Sequence, residues 1–230
     1  MDRFEAGIVF IEKLYKRGII KGVKFLEIGG GNGLVALNIV KRLPKIDYTV
    51  SEYSKRRYEL LRERLKEMGK LHAALLDIEN VTTSPFYRDN KGSFDCVILI
   101  AVLEHLRDPM QALQAIYELL KPGGVIYIDT PNIGKYTHRL KALYGLAPTT
   151  ASRKEGLKTF DGANTQLLDE GHYHYFTYNK LNLLLLRVGF TKTVYLGYPG
   201  GKQVFGKFIH TLLAKLLPKL FSELVMIGIK

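Results

Sequence analysis

Cysteine is almost missing from this chain: Cys96 stands alone among 230 residues. No internal disulfide can form, and the position of Cys96 inside the most apolar run reads as a buried, inert thiol. Long hydrophobic runs are missing as well. The longest one without a charge, "CVILIAVL" at Cys96 to Leu103, falls far short of the roughly 18 residues a membrane span requires, so no transmembrane helix is expected. The opening stretch "MDRFEAGIVFIEKLY" mixes acids and bases with its apolar positions and lacks a small-residue cleavage pattern. No signal peptide is expected there, and the location expected is cytoplasmic. No internal repeat and no low-complexity linker breaks the chain, so residues 1–230 are expected to form a single domain, a size that buries about 70% of its unfolded surface.

Acid is the other scarcity. Twenty-two Asp and Glu stand against 34 Lys and Arg, for a net charge of +12. The excess is uneven: residues 133–160 carry six basic side chains against Glu155 alone, and residues 202–222 carry four lysines and no acid. Such clustering concentrates positive potential and makes an anionic partner reasonable, although lysine also serves simply to solubilise a surface. No aromatic–basic RNA motif or recognition helix accompanies the charge, so nucleic acid is not the expected partner. A basic apolar segment, "FIHTLLAKLLPKL" at Phe208 to Leu220, has the composition of a peripheral membrane helix; packing across the sheet is the favoured reading.

What is present is an alternation. Val23–Ile28, Tyr48–Ser51, Leu71–Leu76, Phe94–Ala101 and Val125–Asp129 are short, apolar and rich in β-branched or aromatic residues, as buried parallel strands are. Helix-length segments separate them. Lys55–Met68 places Tyr58, Leu61, Leu65 and Met68 on one stripe with Gly69 to end it. Asp108 caps a second helix with Pro109 at its first position and Gln111 completing a capping box, which runs to "KPGG" at Lys121 to Gly124. Thr177 caps a third, carrying Leu181, Leu184, Leu185 and Val188 and stopped by Gly189. Two more strands are expected at Thr191–Leu196 and Glu223–Ile229, with a basic helix around Lys207 to Leu217 between them. This rhythm predicts an α/β fold with a parallel sheet covered on both faces. Residues 133–171 break it, and a loop of that length is expected to act as a lid or substrate-binding insertion.

The densest signal is "VKFLEIGGGNGLVAL", Val23 to Leu37, where a strand passes through four glycines in five residues into a helix. Such a corner brings backbone close to whatever sits above the sheet edge, where open α/β sheets bind ligands. A dinucleotide site requires Gly-x-Gly-x-x-Gly. Counting from Gly29 and Gly31, the third glycine of that pattern would fall at Leu34, which disfavours a nicotinamide-dependent oxidoreductase.

With its acid two positions before the first glycine, "EIGGGNG" (Glu27 to Gly33) resembles the first motif of class I S-adenosylmethionine-dependent methyltransferases. Further landmarks follow in order: Glu52 at the end of the second strand, "LLDIEN" (Leu75 to Asn80), "FDCVILIAVLEHLRDP" (Phe94 to Pro109) and "LLKPGGVIYIDTPN" (Leu119 to Asn132). "GHYHYFTYNKLNLLLLRVGF" (Gly171 to Phe190) resembles the small-molecule, quinone-biosynthesis-like subgroup. The resemblance covers about residues 20–230 and implies a three-layer Rossmann-like sandwich with a seven-stranded, mostly parallel sheet whose last strand is antiparallel. It implies S-adenosyl-L-methionine as cofactor, held by Glu27, Gly29, Gly30, Gly31, Gly33, Glu52, Tyr53, Asp77 and Ile78. Glu52 would accept from the ribose hydroxyls and Asp77 from the adenine amine, with Ile78 against the ring. Where relatives often carry polar side chains before "LEH", this chain has Ile100, Ala101 and Val102, so a contact at Ile100 would use its carbonyl.

The reaction so implied is methylation of a small, anionic or lipid-like acceptor. His105 is the candidate catalytic base, with packing beside Glu104 as its competing role. Asn132, His172 and His174 are candidate acceptor contacts, the two histidines sharing one face of an extended stretch opposite Tyr173 and Tyr175. No metal is expected, because no cysteine or suitable carboxylate lies near those histidines in sequence. The non-enzymatic alternative is a methyltransferase-fold module that binds RNA or a membrane surface. Intact Glu27, Glu52 and Asp77 weigh against it.

Overall fold

The computed structural model describes residues 3–66, 71–146, 172–199 and 206–230. In chain order the elements are α1 (Arg3–Lys16), β1 (Lys24–Ile28), α2 (Leu34–Arg42), β2 (Asp47–Glu52), α3 (Lys55–Lys66), β3 (Leu71–Leu75) and α4 (Pro85–Asp89). There follow β4 (Phe94–Ile100), α5 (Pro109–Leu119), β5 (Leu120–Thr130), α6 (Tyr136–Leu143), α7 (Tyr178–Val188), β6 (Lys192–Tyr195), α8 (Lys207–Leu216), α9 (Pro218–Phe221) and β7 (Leu224–Ile229). Met68, Gly69 and the basic residues Arg153, Lys154, Lys158 and Lys202 lie outside the described residues.

The strands form one sheet in the order β3-β2-β1-β4-β5-β7-β6. β1 to β5 pair in parallel, and β7 runs antiparallel to both β5 and β6. Each strand alternates sides, as the period of two requires. Phe25, Tyr48, Val50, Cys96, Ile98 and Tyr127 face the layer of α1, α2 and α3, while Leu26, Val97, Leu99, Ile126 and Ile128 face that of α5 and α7. Both faces are dry. Cys96 is fully buried, and burial raises its thiol pKa far from reactivity.

Local chemistry sets the element ends. Asp108 accepts from the amides of Met110 and Gln111 ahead of Pro109, and Thr177 accepts from the amide of Lys180. Gly189, at φ 117°, ends α7 in a left-handed turn that a side chain would strain.

Three features differ from expectation. α1 is present, holding Ala6, Ile11 and Leu14 buried against the sheet. α5 stops at Leu119, and "KPGG" already belongs to β5, pinned by the Gly123 amide donating to the Lys230 carbonyl and the Lys230 amide donating to that of Gly124. The expected loop at 133–171 contains α6; Tyr136 at its start packs on Ala214 of α8 and Phe221 of α9. That cluster also holds α8, whose buried contacts are with α6 and α9. Residues 147–171 of the expected lid lie outside the described residues. No helix among the described residues is long and apolar enough to cross a membrane.

Candidate functional site

The strand order turns at β1 and β4: from β1 the chain steps outward to β2 and β3, then returns to β4 on the other side. Crossover helices on opposite faces leave a crevice beyond the carboxyl ends of these two strands. A cavity of about 810 Å³ lies there. Its walls come from strand ends: Ile28 and Gly29 after β1, Glu52 and Tyr53 after β2, Asp77 and Ile78 after β3, Ala101 and His105 after β4.

The glycine corner forms one side of this space. The Gly31 amide donates to Glu52 Oε1 at 2.7 Å, with Gly31 at φ 59°, and nothing lies within 4 Å of where its Cβ would be. A left-handed backbone is thereby locked to the carboxylate one strand over. Gly30 serves a different need. Its φ is ordinary, but an added Cβ would sit 2.3 Å from Val50 Cγ1 and 3.0 Å from the Glu27 carboxyl carbon. Gly33 opens α2 and backs onto Leu65, while Gly29 lies beside Val102 at the cavity wall.

Glu52 is 1% exposed, and its second oxygen, Oε2, accepts no hydrogen bond among the described residues. A buried carboxylate oxygen without a donor is costly, so one at a cavity wall marks a place for ligand hydroxyls or amines. Asp77 Oδ1 accepts from the Glu79 amide and Oδ2 from Asn80 Nδ2, which fixes its orientation at the rim. Ile78 is buried beneath that turn, and Tyr53 stands exposed with the Arg57 guanidinium 5.9 Å from its ring centre. The unpartnered Glu52 oxygen, the apolar Ile78 and the oriented Asp77 fit a nucleoside cofactor.

Several expected site residues lie elsewhere. Glu27 belongs to the α1–α3 side of β1, 3% exposed beneath the glycine loop, where it accepts from the Tyr48 hydroxyl at 3.1 Å. Burial, with a smaller push from Glu52, raises its pKa to about 8, against an opposing effect from the Tyr48 hydrogen bond. The ordinary value is 4.5, so the folded state favours the protonated acid. This group's contribution to stability is complete below about pH 4.5 and is lost as pH rises through about 8. Glu27→Gln, which mimics the neutral acid, should flatten the fall in melting temperature between pH 5 and 9; an unchanged slope would contradict the burial argument. Ile100 turns its side chain toward Gly7 of α1, which leaves the contact expected of it to its carbonyl. Asn132 is 1% exposed and fully engaged: Nδ2 donates to the carbonyls of Lys219 and Ser222, and Oδ1 accepts from the Gly134 amide. It ties β5 to α9 and has no opening toward an acceptor.

The two histidines part company. The His172 ring lies 4.7 Å from that of His105, while His174 Nε2 sits 3.0 Å from the Arg107 carbonyl oxygen. The amides of Tyr173 and His174 both donate to the Glu104 carbonyl, at 2.9 and 3.2 Å, strapping this stretch across the turn Leu103–His105. Tyr173 then lines the cavity. Sequence reading passed over Tyr173, Arg57 and Arg107 as cavity residues. Also unexpected is Ala101, at φ 55° the one non-glycine left-handed residue among those described. The isolated positive φ at the mouth of β4 is strain of the kind that gathers at binding sites. Of the basic segment that follows β5, Lys135 pairs with Glu223 at 2.6 Å and Arg139 Nε donates to the Gly134 carbonyl. Both cations thus help hold the fold.

Sheet order, antiparallel last strand and cavity position place the molecule among Rossmann-like α/β proteins. The chain belongs to the methyltransferase-domain family, whose profile matches residues 4–194, in line with its resemblance to class I S-adenosylmethionine-dependent methyltransferases. It is 31% identical over 118 residues to a ubiquinone biosynthesis O-methyltransferase of Thiobacillus denitrificans, covering 50% of this chain and 47% of that protein. A protein of the same description from Xanthomonas campestris is 25% identical over 171 residues, or 73% of this chain and 61% of the relative. The chain thus spans about half to three-fifths of these relatives. In fold it resembles a SAM-dependent methyltransferase from Archaeoglobus fulgidus, with a TM-score of 0.59 at 16% identity over 99% of this chain and 94% of that one.

Proposed function

We propose that this chain methylates a hydroxyl of a small-molecule acceptor. The observation that carries the reading is the unpartnered Glu52 oxygen at the wall of the cavity. Glu52 would receive the ribose hydroxyls, Asp77 the adenine amine, and Ile78 the face of the ring, while the corner from Gly29 to Gly33 gives backbone access. S-adenosylmethionine supplies, when bound, a methyl group already activated by its sulfonium.

The protein's share is then alignment, an effect worth roughly 7 to 11 kcal/mol of barrier. His105 and Tyr173, on the β4 side of the cavity, face the remaining space. A hydroxyl is a weak nucleophile that gains from a base, and the imidazole at the wall is that of His105. The relatives named for ubiquinone biosynthesis support an oxygen acceptor. A single methyltransferase domain over residues 1–230 is part of the same reading.

The test is incubation of the purified chain with methyl-labelled S-adenosylmethionine and a panel of phenolic and extracted metabolites, read by mass spectrometry. One labelled methyl on a hydroxyl product is the expected result. Label transferred only to carbon or nitrogen would overturn the oxygen assignment, and no transfer from a chain that binds S-adenosylhomocysteine would favour a non-catalytic module.

A further inference from the structure

Beside the cavity, three side chains meet that sequence order keeps apart. One ligand atom from each of Glu104, His105 and His172 lies within 4.8 Å of those from the other two. We infer that these residues form a divalent-metal site, with Glu104, His105 and His172 as its protein ligands.

The carboxylate that sequence reading found lacking is supplied by Glu104 itself. Glu104 is 1% exposed; Oε2 accepts from the Thr130 hydroxyl at 2.9 Å, while Oε1 accepts no hydrogen bond among the described residues. Its only ion pair among the described residues is a long one, with Arg3 Nη1 at 3.8 Å. A buried carboxylate oxygen left this way calls for a cation or a donor. Thr130 also orients the carboxylate, as the outer partners of metal ligands do. His172 is brought to the same point by the strap whose two amides donate to the Glu104 carbonyl, so one residue fixes both a ligand and the backbone that delivers another.

Bonds of about 2.0 to 2.2 Å place tetrahedral ligand atoms about 3.4 Å apart. The limit of 4.8 Å exceeds that spacing by about 1.4 Å, the distance the ligand atoms would have to close on binding. Two imidazoles and one carboxylate suit manganese, iron, cobalt or zinc better than calcium or magnesium. Three protein ligands leave coordination positions open. His105 both belongs to the cluster and lines the cavity, which puts the open side toward the acceptor. With a metal bound, His105 would serve as a ligand rather than as the base, and activation of the acceptor hydroxyl would fall to the metal. The inference rests on the methyl-transfer reading only for the identity of that occupant: an acceptor presenting oxygen to the metal.

The test is titration of chelator-treated protein with Mn²⁺ followed by electron paramagnetic resonance, repeated with Co²⁺ by absorption. Wild type should bind one equivalent. Glu104→Gln and His172→Gln should each weaken binding at least tenfold, with His172→Gln carrying the comparison if Glu104→Gln fails to fold. His72→Gln, which removes an exposed histidine 3.4 Å from Asp47 at the far sheet edge, should bind as wild type does. No binding by wild type, or loss in His72→Gln with His172→Gln unaffected, would overturn the site. S-adenosylhomocysteine is added in parallel and read by melting temperature. A shift without metal binding would leave the methyl-transfer reading standing and remove the metal; metal binding without a shift would do the reverse.

Discussion

Glu52→Ala should weaken binding of S-adenosylhomocysteine by about 1 to 3 kcal/mol, roughly 5- to 150-fold in dissociation constant. Two losses combine. The ribose would lose its charged acceptor, and the Gly31 amide, which donates to Glu52 Oε1 at 2.7 Å, would lose the partner that holds the glycine corner in place. Glu52→Gln separates the two, since its amide oxygen can still accept from Gly31 while a neutral group replaces the carboxylate; its affinity should fall between those of wild type and Glu52→Ala. Calorimetric titration checks both. Equal affinity in all three proteins would mean that the carboxylate does not touch the sugar.

Gly30→Ala should lower the melting temperature by roughly 2 to 12 °C, from an overpacking cost of about 1 to 3 kcal/mol at about 2 to 4 °C per kcal/mol for a chain of this size. The backbone at Gly30 is one that alanine can adopt, so the expected damage is steric: the new methyl would meet Val50 Cγ1 at 2.3 Å and press on the Glu27 carboxyl. Val50→Ala removes the obstructing methyl. The double variant should therefore recover part of the loss, a non-additivity that thermal denaturation of the four-protein cycle measures. Additive effects would place the damage elsewhere in the loop.

Most of the sheet could be read from the sequence because its strands are buried on both faces. A doubly covered strand must be apolar along most of its length, and Lys24–Ile28, Phe94–Ile100 and Leu224–Ile229 each lie within about a residue of the apolar segment that announced them. Helix ends fixed by their own side chains were equally plain, as at Asp108, Thr177 and Gly189. Elements fixed from a distance were not. α6 begins at Tyr136, whose ring lies 4.7 Å from that of Phe221, and no local pattern within 133–146 announces a partner so far along the chain.

The same division runs through the site. Glu52, Asp77 and Ile78 close strands, so position along the chain placed them at the cavity. Glu27 sits one residue before the end of β1, where the alternation of sides sends its carboxyl under the loop to Tyr48. Asn132 carried a plausible acceptor amide, but Lys219 and Ser222 claim it through α9. His172 and His174 share a face only in an ideal strand. The strap on Glu104 twists the chain so that one ring meets His105 and the other reaches the Arg107 carbonyl.

The most direct measurement is a crystal structure of the chain with S-adenosylhomocysteine. Both ribose hydroxyls should lie within hydrogen-bond distance of the Glu52 carboxylate, with the adenine against Ile78 and its amine toward Asp77. A nucleoside seated away from Glu52, or a chain that takes up none at saturating concentration, would contradict the assignment of this cavity.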